Sequence, residues 1–194
     1  MGPRYPRVDW GAARRHATPL LAGISLARVA AAVPVMALIY LGAYVAAAAL
    51  FTAAAATDFL DGYLARRWHS GTALGVFLDT TADKLLVAGV LIALVAAGRA
   101  WGWAAALIIG REIAVLGLKA AAASDGTVVY PSIWGKIKFI VQFAAIFLAI
   151  LRYDQRIGNM FLDEWAMTAA VIVTVLSAWS YLKYLPSAFR NAVP

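Results

Sequence analysis

Four carboxylates, Asp58, Asp61, Asp79 and Asp83, fall within 26 residues, and the sequence on either side of them is apolar. A chain cannot bury acids in such surroundings unless its fold brings them something that neutralises their charge. The stretch reads DFLDGYLARRWHSGTALGVFLDTTAD. Asp58 and Asp61 are three residues apart and Asp79 and Asp83 four, so on helices each pair shares a face. Between the pairs, ARRWHSG is polar enough to turn at a membrane surface. Two antiparallel helices are expected, with facing acids that converge near one end.

The surroundings are those of a membrane protein. The chain has 194 residues, of which 63% are hydrophobic and 14% charged, with a mean hydropathy of +0.77. A soluble domain is typically about 45–50% apolar. One integral membrane domain is expected, with no second domain. Each acid inside a membrane helix costs roughly 2.5–3.5 kcal/mol on insertion scales, so four unpaired ones are untenable. Two hard divalent cations would neutralise them, and carboxylate oxygens suit Mg²⁺ or Mn²⁺ far better than Zn²⁺. The sequence has no cysteine, and His16 and His69 are not part of the acid cluster, which argues against a thiolate or imidazole site and rules out a disulfide framework. Two metals on shared carboxylates form a clamp suited to phosphoryl chemistry. The net charge of +7 sits mostly at helix ends, which fits contact with anionic lipid phosphates rather than nucleic acid.

Apolar runs predict six spans, over about residues 19–40, 45–68, 72–97, 103–122, 133–151 and 165–185. The architecture is therefore all-α, with residues 19–186 as the membrane domain and 187–194 as a cytoplasmic tail. Residues 1–18 carry Arg4, Arg7, Arg14 and Arg15 with Tyr5 and Trp10. Within this basic juxtamembrane segment, residues 8–17 fit a short amphipathic helix on the leaflet, or a basic tail. The segment lacks the apolar core of a cleavable signal. Short turns are expected at 41–44 and 98–102, a Ser124-Asp125-Gly126 turn within 123–130, and a longer loop over 152–164 ending in the helix-start pair Asp163-Glu164. Arg4, Arg7, Arg14, Arg15, Arg66, Arg67, Lys183 and Arg190 lie on the side of the termini, against Arg99, Arg152 and Arg156 opposite. The termini and the acid cluster are accordingly expected on the cytoplasmic face of the cell (inner) membrane. Arg28, inside the first span, is read as facing the polar site rather than snorkelling to the surface. Lys84 has two readings, pairing with an acid or contacting a phosphate.

The pattern Asp58-x2-Asp61-Gly62-x2-Ala65-Arg66-x8-Gly75-x3-Asp79-x3-Asp83 resembles, at every fixed position, the signature of the CDP-alcohol phosphotransferases. That resemblance implies the family's fold and its reaction: an alcohol attacks the β-phosphorus of a CDP-linked donor and displaces CMP. It also implies roles. Asp58, Asp61 and Asp79 would be the main metal ligands, with Asp83 as general base, near or on a metal. Asp58, Gly62, Ala65, Arg66 and Gly75 would receive the CDP moiety, the small residues by close backbone approach and Arg66 as a forked donor to the diphosphate. Family members are homodimers, so a homodimer is implied.

The segments LIIGREIAVLGLK and SIWGKIKFIVQF further resemble the phosphatidylglycerophosphate synthase branch, which uses CDP-diacylglycerol and sn-glycerol 3-phosphate. With the signature, the resemblance covers most of residues 55–145. Arg111, Lys136 and Lys138 would then hold the acceptor phosphate, with Arg28 or Lys119 as helpers. One departure stands out: that branch usually has Asp-Pro before the last acid, whereas here Asp79-Thr80-Thr81-Ala82-Asp83 is similar to the phosphatidylinositol-phosphate synthases. Inositol phosphate transfer, or another CDP-alcohol reaction, is therefore the alternative. A cation transporter would also account for buried acids. It leaves Gly62, Gly75 and Arg66 without a role, and no inverted repeat is visible.

Overall fold

A computed structural model describes residues 14–68, 73–124, 133–152 and 156–182, and the side-chain surroundings of 27–57, 81–120, 134–135, 137–152 and 156–179. Among them are six α-helices: α1 (Arg14–Tyr40), α2 (Tyr44–Trp68), α3 (Ala73–Ala96), α4 (Gly102–Ser124), α5 (Ile133–Leu151) and α6 (Leu162–Leu182). A two-stranded hairpin, β1 (Arg156–Ile157) and β2 (Met160–Phe161), precedes α6.

Glycine sets two of the helix ends. Gly42 (φ +76°) closes α1: its N–H donates to Ile39 O at 3.1 Å, and Ala43 N–H donates to Leu38 O at 2.8 Å. Gly98 (φ +68°) repeats the arrangement after α3, with bonds to Val95 O at 3.1 Å and from Arg99 N–H to Leu94 O at 2.8 Å. Both are Schellman caps, which need the left-handed conformation that a Cβ disfavours. Nothing lies within 4 Å of a Cβ built at Gly98, so only the backbone conformation is at stake. Gly98→Ala is expected to cost about 1–2 kcal/mol, read as a lower melting temperature in detergent. An unchanged melting temperature would remove the cap from the account.

The helices pack through narrow stripes. Val35 and Ile39 of α1, Leu86, Val90 and Leu94 of α3, and Ala145, Ile146, Ala149 and Ile150 of α5 are at most 1% exposed. α1 packs against both α3 and α2, and α5 packs against α6 and α2. Gly89 marks a close α1–α3 approach, since a Cβ there would sit 2.8 Å from Met36 Sδ. The outward faces remain apolar: Val33, Ile92, Ile113, Ile140, Ile172 and Trp179 are more than half exposed.

At the end of the bundle that carries Gly42 and Gly98, two arginines tie the α3–α4 turn to α5. Arg99 donates to Ile150 O at 3.0 Å and lies 3.4 Å over the Tyr44 ring. Arg152 donates to Gly98 O at 2.9 Å and lies 4.9 Å from the Phe161 ring centre. The clasp joins the α3–α4 turn to the end of α5, and Arg152 itself takes a left-handed φ of +43°.

Several boundaries differ from the sequence reading. Residues 14–18 are the start of α1 rather than a separate segment; Pro19 lies in the second turn and removes one intrahelical bond without ending the helix. Residues 1–13, and with them most of the expected amphipathic helix, lie outside the described residues. So do residues 69–72, which include the second half of the expected ARRWHSG turn, Asp125-Gly126 and residues 183–194, while residues 65–68 of that turn belong to α2. The loop 152–164 contains the hairpin, turning at Gly158, and α6 begins at Leu162 rather than at 165. Asp163 and Glu164 lie inside the first turn of α6, where acids favour the helix dipole. Glu164 Oε2 accepts from Phe161 N–H at 2.9 Å, half of a capping box, and Trp165 Nε1 ties the hairpin down through Ile157 O at 3.0 Å.

Candidate active site

The fold puts the four acids on two consecutive helices. Asp58 and Asp61 lie in the last three turns of α2, and Asp79 and Asp83 in the first half of α3. The side chains of Asp58, Asp61, Gly62, Ala65, Arg66, Gly75, Asp79 and Lys136 lie outside the described residues. Asp83 is described. It is half-buried next to the fully packed Ala82, and it lines a cavity with Lys84, Glu112, Lys138, Gln142 and the ring of Phe143.

Glu112 is the centre of that cavity's charge. Its Oε1 accepts from Lys138 Nζ and lies 3.4 Å from Arg111 Nη1, while Lys84 Nζ lies 3.7 Å from its Oε2. Three cations from three helices therefore meet one carboxylate. Glu112 is 7% exposed and Lys138 8%. At such burial an unpaired charge costs several kcal/mol, so the pairing is obligatory rather than decorative. The helix periodicity explains the placement. Ala104, Ala105, Ile108, Glu112 and Val115 form the buried stripe of α4, and Lys138, Gln142, Ala145 and Ala149 that of α5. At this end of the bundle the stripe turns polar, and core positions become site positions.

Of the residues read from sequence for the acceptor phosphate, Arg111 and Lys138 come together here. Arg28 is 2% exposed on α1, so it does not snorkel. Lys119, half-buried further along α4, is not in the cavity lining. Lys84 pairs with an acid, Glu112. Two polar cavity residues received no role in the sequence reading, Glu112 and Gln142. The signal that would have found them is a Glu or Gln at a stripe position of an otherwise apolar helix.

The donor set suits hard cations. Asp58, Asp61, Asp79 and Asp83 offer oxygen only, in pairs one helical turn apart, on the helices that flank residues 69–72. Among the described residues no three acidic or imidazole side chains gather to hold a metal, and three of these four acids lie outside them.

Residues 21–176 match the sequence profile of the family described as CDP-alcohol phosphatidyltransferase. The chain is 41% identical over 140 residues to the CDP-diacylglycerol–glycerol-3-phosphate 3-phosphatidyltransferase of Bacillus subtilis (strain 168), covering 72% of each chain. To the protein of the same name from Escherichia coli (strain K12) it is 36% identical over 148 residues, covering 74% of this chain and 78% of that one. The apolar helix Leu162–Trp179, long enough to cross a membrane, accords with membership of a membrane-bound family. A profile spanning the acids of α2 and α3, the cavity of α4 and α5 and most of α6, together with these relatives, leaves one conclusion: the chain is an enzyme of the CDP-alcohol phosphatidyltransferase family.

Proposed function

We propose that the chain transfers the phosphatidyl group of CDP-diacylglycerol to sn-glycerol 3-phosphate, giving phosphatidylglycerophosphate and CMP. The observation that carries this reading is the cluster around Glu112: Lys84 and Lys138 line the same cavity as Asp83 and Glu112, and Arg111 meets Glu112 beside it. A phosphorylated acceptor needs basic groups beside the base that activates its hydroxyl; a neutral alcohol does not. The names of the relatives support the same pair of substrates.

In this mechanism Asp83 takes the proton of the acceptor hydroxyl. The freed oxygen bonds to the β-phosphorus of the donor, and the bond from that phosphorus to the CMP oxygen breaks. Arg66 forks onto the donor diphosphate, and Gly62, Ala65 and Gly75 let the nucleotide lie against helix backbone. Arg111, Lys138 and Lys136 hold the acceptor phosphate, with Arg28 and Lys119 as further cations. Members of the family generally use divalent metals. Mg²⁺ or Mn²⁺ on Asp58, Asp61, Asp79 and Asp83 would stabilise charge on the attacking and leaving oxygens.

The six helices have 19 to 27 residues. At 1.5 Å per residue even the shortest reaches about 28 Å, close to a hydrocarbon core of about 30 Å. With apolar outward faces, this supports six spans over residues 19–186 and a cytoplasmic tail at 187–194. The balance of Lys and Arg supports cytoplasmic termini and a cytoplasmic active site in the inner membrane. Small-residue faces on α3 and α4 suit a homodimer.

The test is CMP release from CDP-diacylglycerol by purified protein with Mg²⁺ or Mn²⁺, offering glycerol 3-phosphate and inositol 1-phosphate in parallel. Turnover with inositol phosphate alone would shift the acceptor assignment to the alternative that Thr80 and Thr81 suggest. No CMP with any acceptor would return the acids to ion transport. Lys138→Met is expected to raise the KM for glycerol 3-phosphate about 10–100-fold while leaving kcat largely intact, because a charge-assisted bond to substrate is lost. An unchanged KM would remove Lys138 from the phosphate site.

A further inference from the structure

Gln142 is 4% exposed, lines the cavity that holds Asp83, and has a side-chain oxygen, Oε1, buried without a hydrogen-bond partner. A buried amide oxygen left unbonded is unfavourable, and such groups persist where something is meant to fill the gap. Gln142 follows Lys138 by four residues on α5, so the two side chains share a face, about 6 Å apart along the axis. A three-carbon phosphate is comparable in length. Its phosphate and its attacking hydroxyl are both accounted for above, by the basic cluster and by Asp83. Its middle hydroxyl is a donor with no assigned acceptor, and Gln142 is an acceptor with no assigned donor.

We propose that Gln142 is a specificity-determining residue whose Oε1 accepts a hydrogen bond from the middle hydroxyl of the acceptor. This rests on the acceptor reading above. The rings of Phe139 and Phe143, which line the same cavity, offer that hydroxyl no competing partner. The inference therefore makes the site selective for a polyol phosphate over a simple hydroxyalkyl phosphate.

The experiment compares sn-glycerol 3-phosphate with 3-hydroxypropyl phosphate, which lacks only the middle hydroxyl. Wild-type protein and Gln142→Met are assayed for CMP release from CDP-diacylglycerol. Met is close in volume and suits an apolar wall, so the packing is kept. Wild type is expected to favour glycerol 3-phosphate in kcat/KM by about tenfold or more. In Gln142→Met that preference should collapse through loss on glycerol 3-phosphate, with the rate on 3-hydroxypropyl phosphate retained. A purely structural role would lower both rates together and keep the ratio, and that result overturns the assignment. Equal use of the two acceptors by wild type overturns it without any variant. If wild type releases no CMP with glycerol 3-phosphate, the acceptor reading falls first and this assignment falls with it.

Discussion

Asp83→Asn is expected to abolish CMP release, lowering kcat by about 10²–10⁴-fold, the range of a lost general base. Asn keeps the size of Asp and can still donate a hydrogen bond, but it cannot take the acceptor's proton. Asp83 is half-buried and opens into the cavity that also holds Lys84, Glu112 and Lys138, so no bulk water substitutes readily for it. Its task is to take the proton of the acceptor hydroxyl. It serves only where the acceptor hydroxyl is itself acidified, so the loss should be in kcat and not in donor binding. The measurement is CMP release at saturating substrates, with thermal protection by CDP-diacylglycerol showing that the variant still binds its donor. Turnover within tenfold of wild type would remove Asp83 from the chemistry.

Glu112→Leu should have the second largest effect, on stability. Lys138, Arg111 and Lys84 converge on this one carboxylate in a nearly water-free setting. Removing it takes away the carboxylate that the three cations share and leaves them facing one another, a change that typically costs about 3–5 kcal/mol. A marked fall in melting temperature in detergent is the expected outcome. Adding Lys138→Met should restore part of it, because the double variant removes a cation along with its partner. A melting temperature unaffected by Glu112→Leu would mean that the cluster is solvated, and would undercut its description as a buried network. Glu112 also spaces the basic heads, so any Glu112→Leu protein that survives should bind the acceptor less well.

The parts of this molecule legible in the sequence are those with local causes. Gly42 and Gly98 stop helices by their own backbone freedom, and α2, α3 and α5 begin and end within a residue or so of the expected positions. The hairpin at Arg156–Ile157 and Met160–Phe161 was not legible, since strands of two residues are too short for any alternation. The start of α6 differs from the expected 165 because the helix-start pair Asp163-Glu164, counted with the loop, occupies the helix's first turn, and Glu164 reaches back to Phe161. Arg111 and Lys138 were singled out by the resemblance of their segments to the synthase branch, together with their charge. Glu112 and Gln142 were not, because their significance depends on how α4 and α5 are rotated about their axes. That rotation is fixed by Ile108, Val115, Ala145 and Ala149 packing into the bundle, a tertiary fact.

The exchange between Arg99 and Arg152 also determines where this protein can give. Arg99 satisfies a carbonyl in the last turn of α5 and Arg152 one in the α3–α4 turn, so the end far from the acids is riveted from both sides. If the helices part to admit a two-chain lipid, the rivet is the fulcrum. Leverage then does the rest: a tilt of about 5° over a span of about 30 Å displaces the opposite end by about 2.6 Å. A small angular excursion at the rivet thus becomes room at the carboxylates, and the helix length itself is the amplifier.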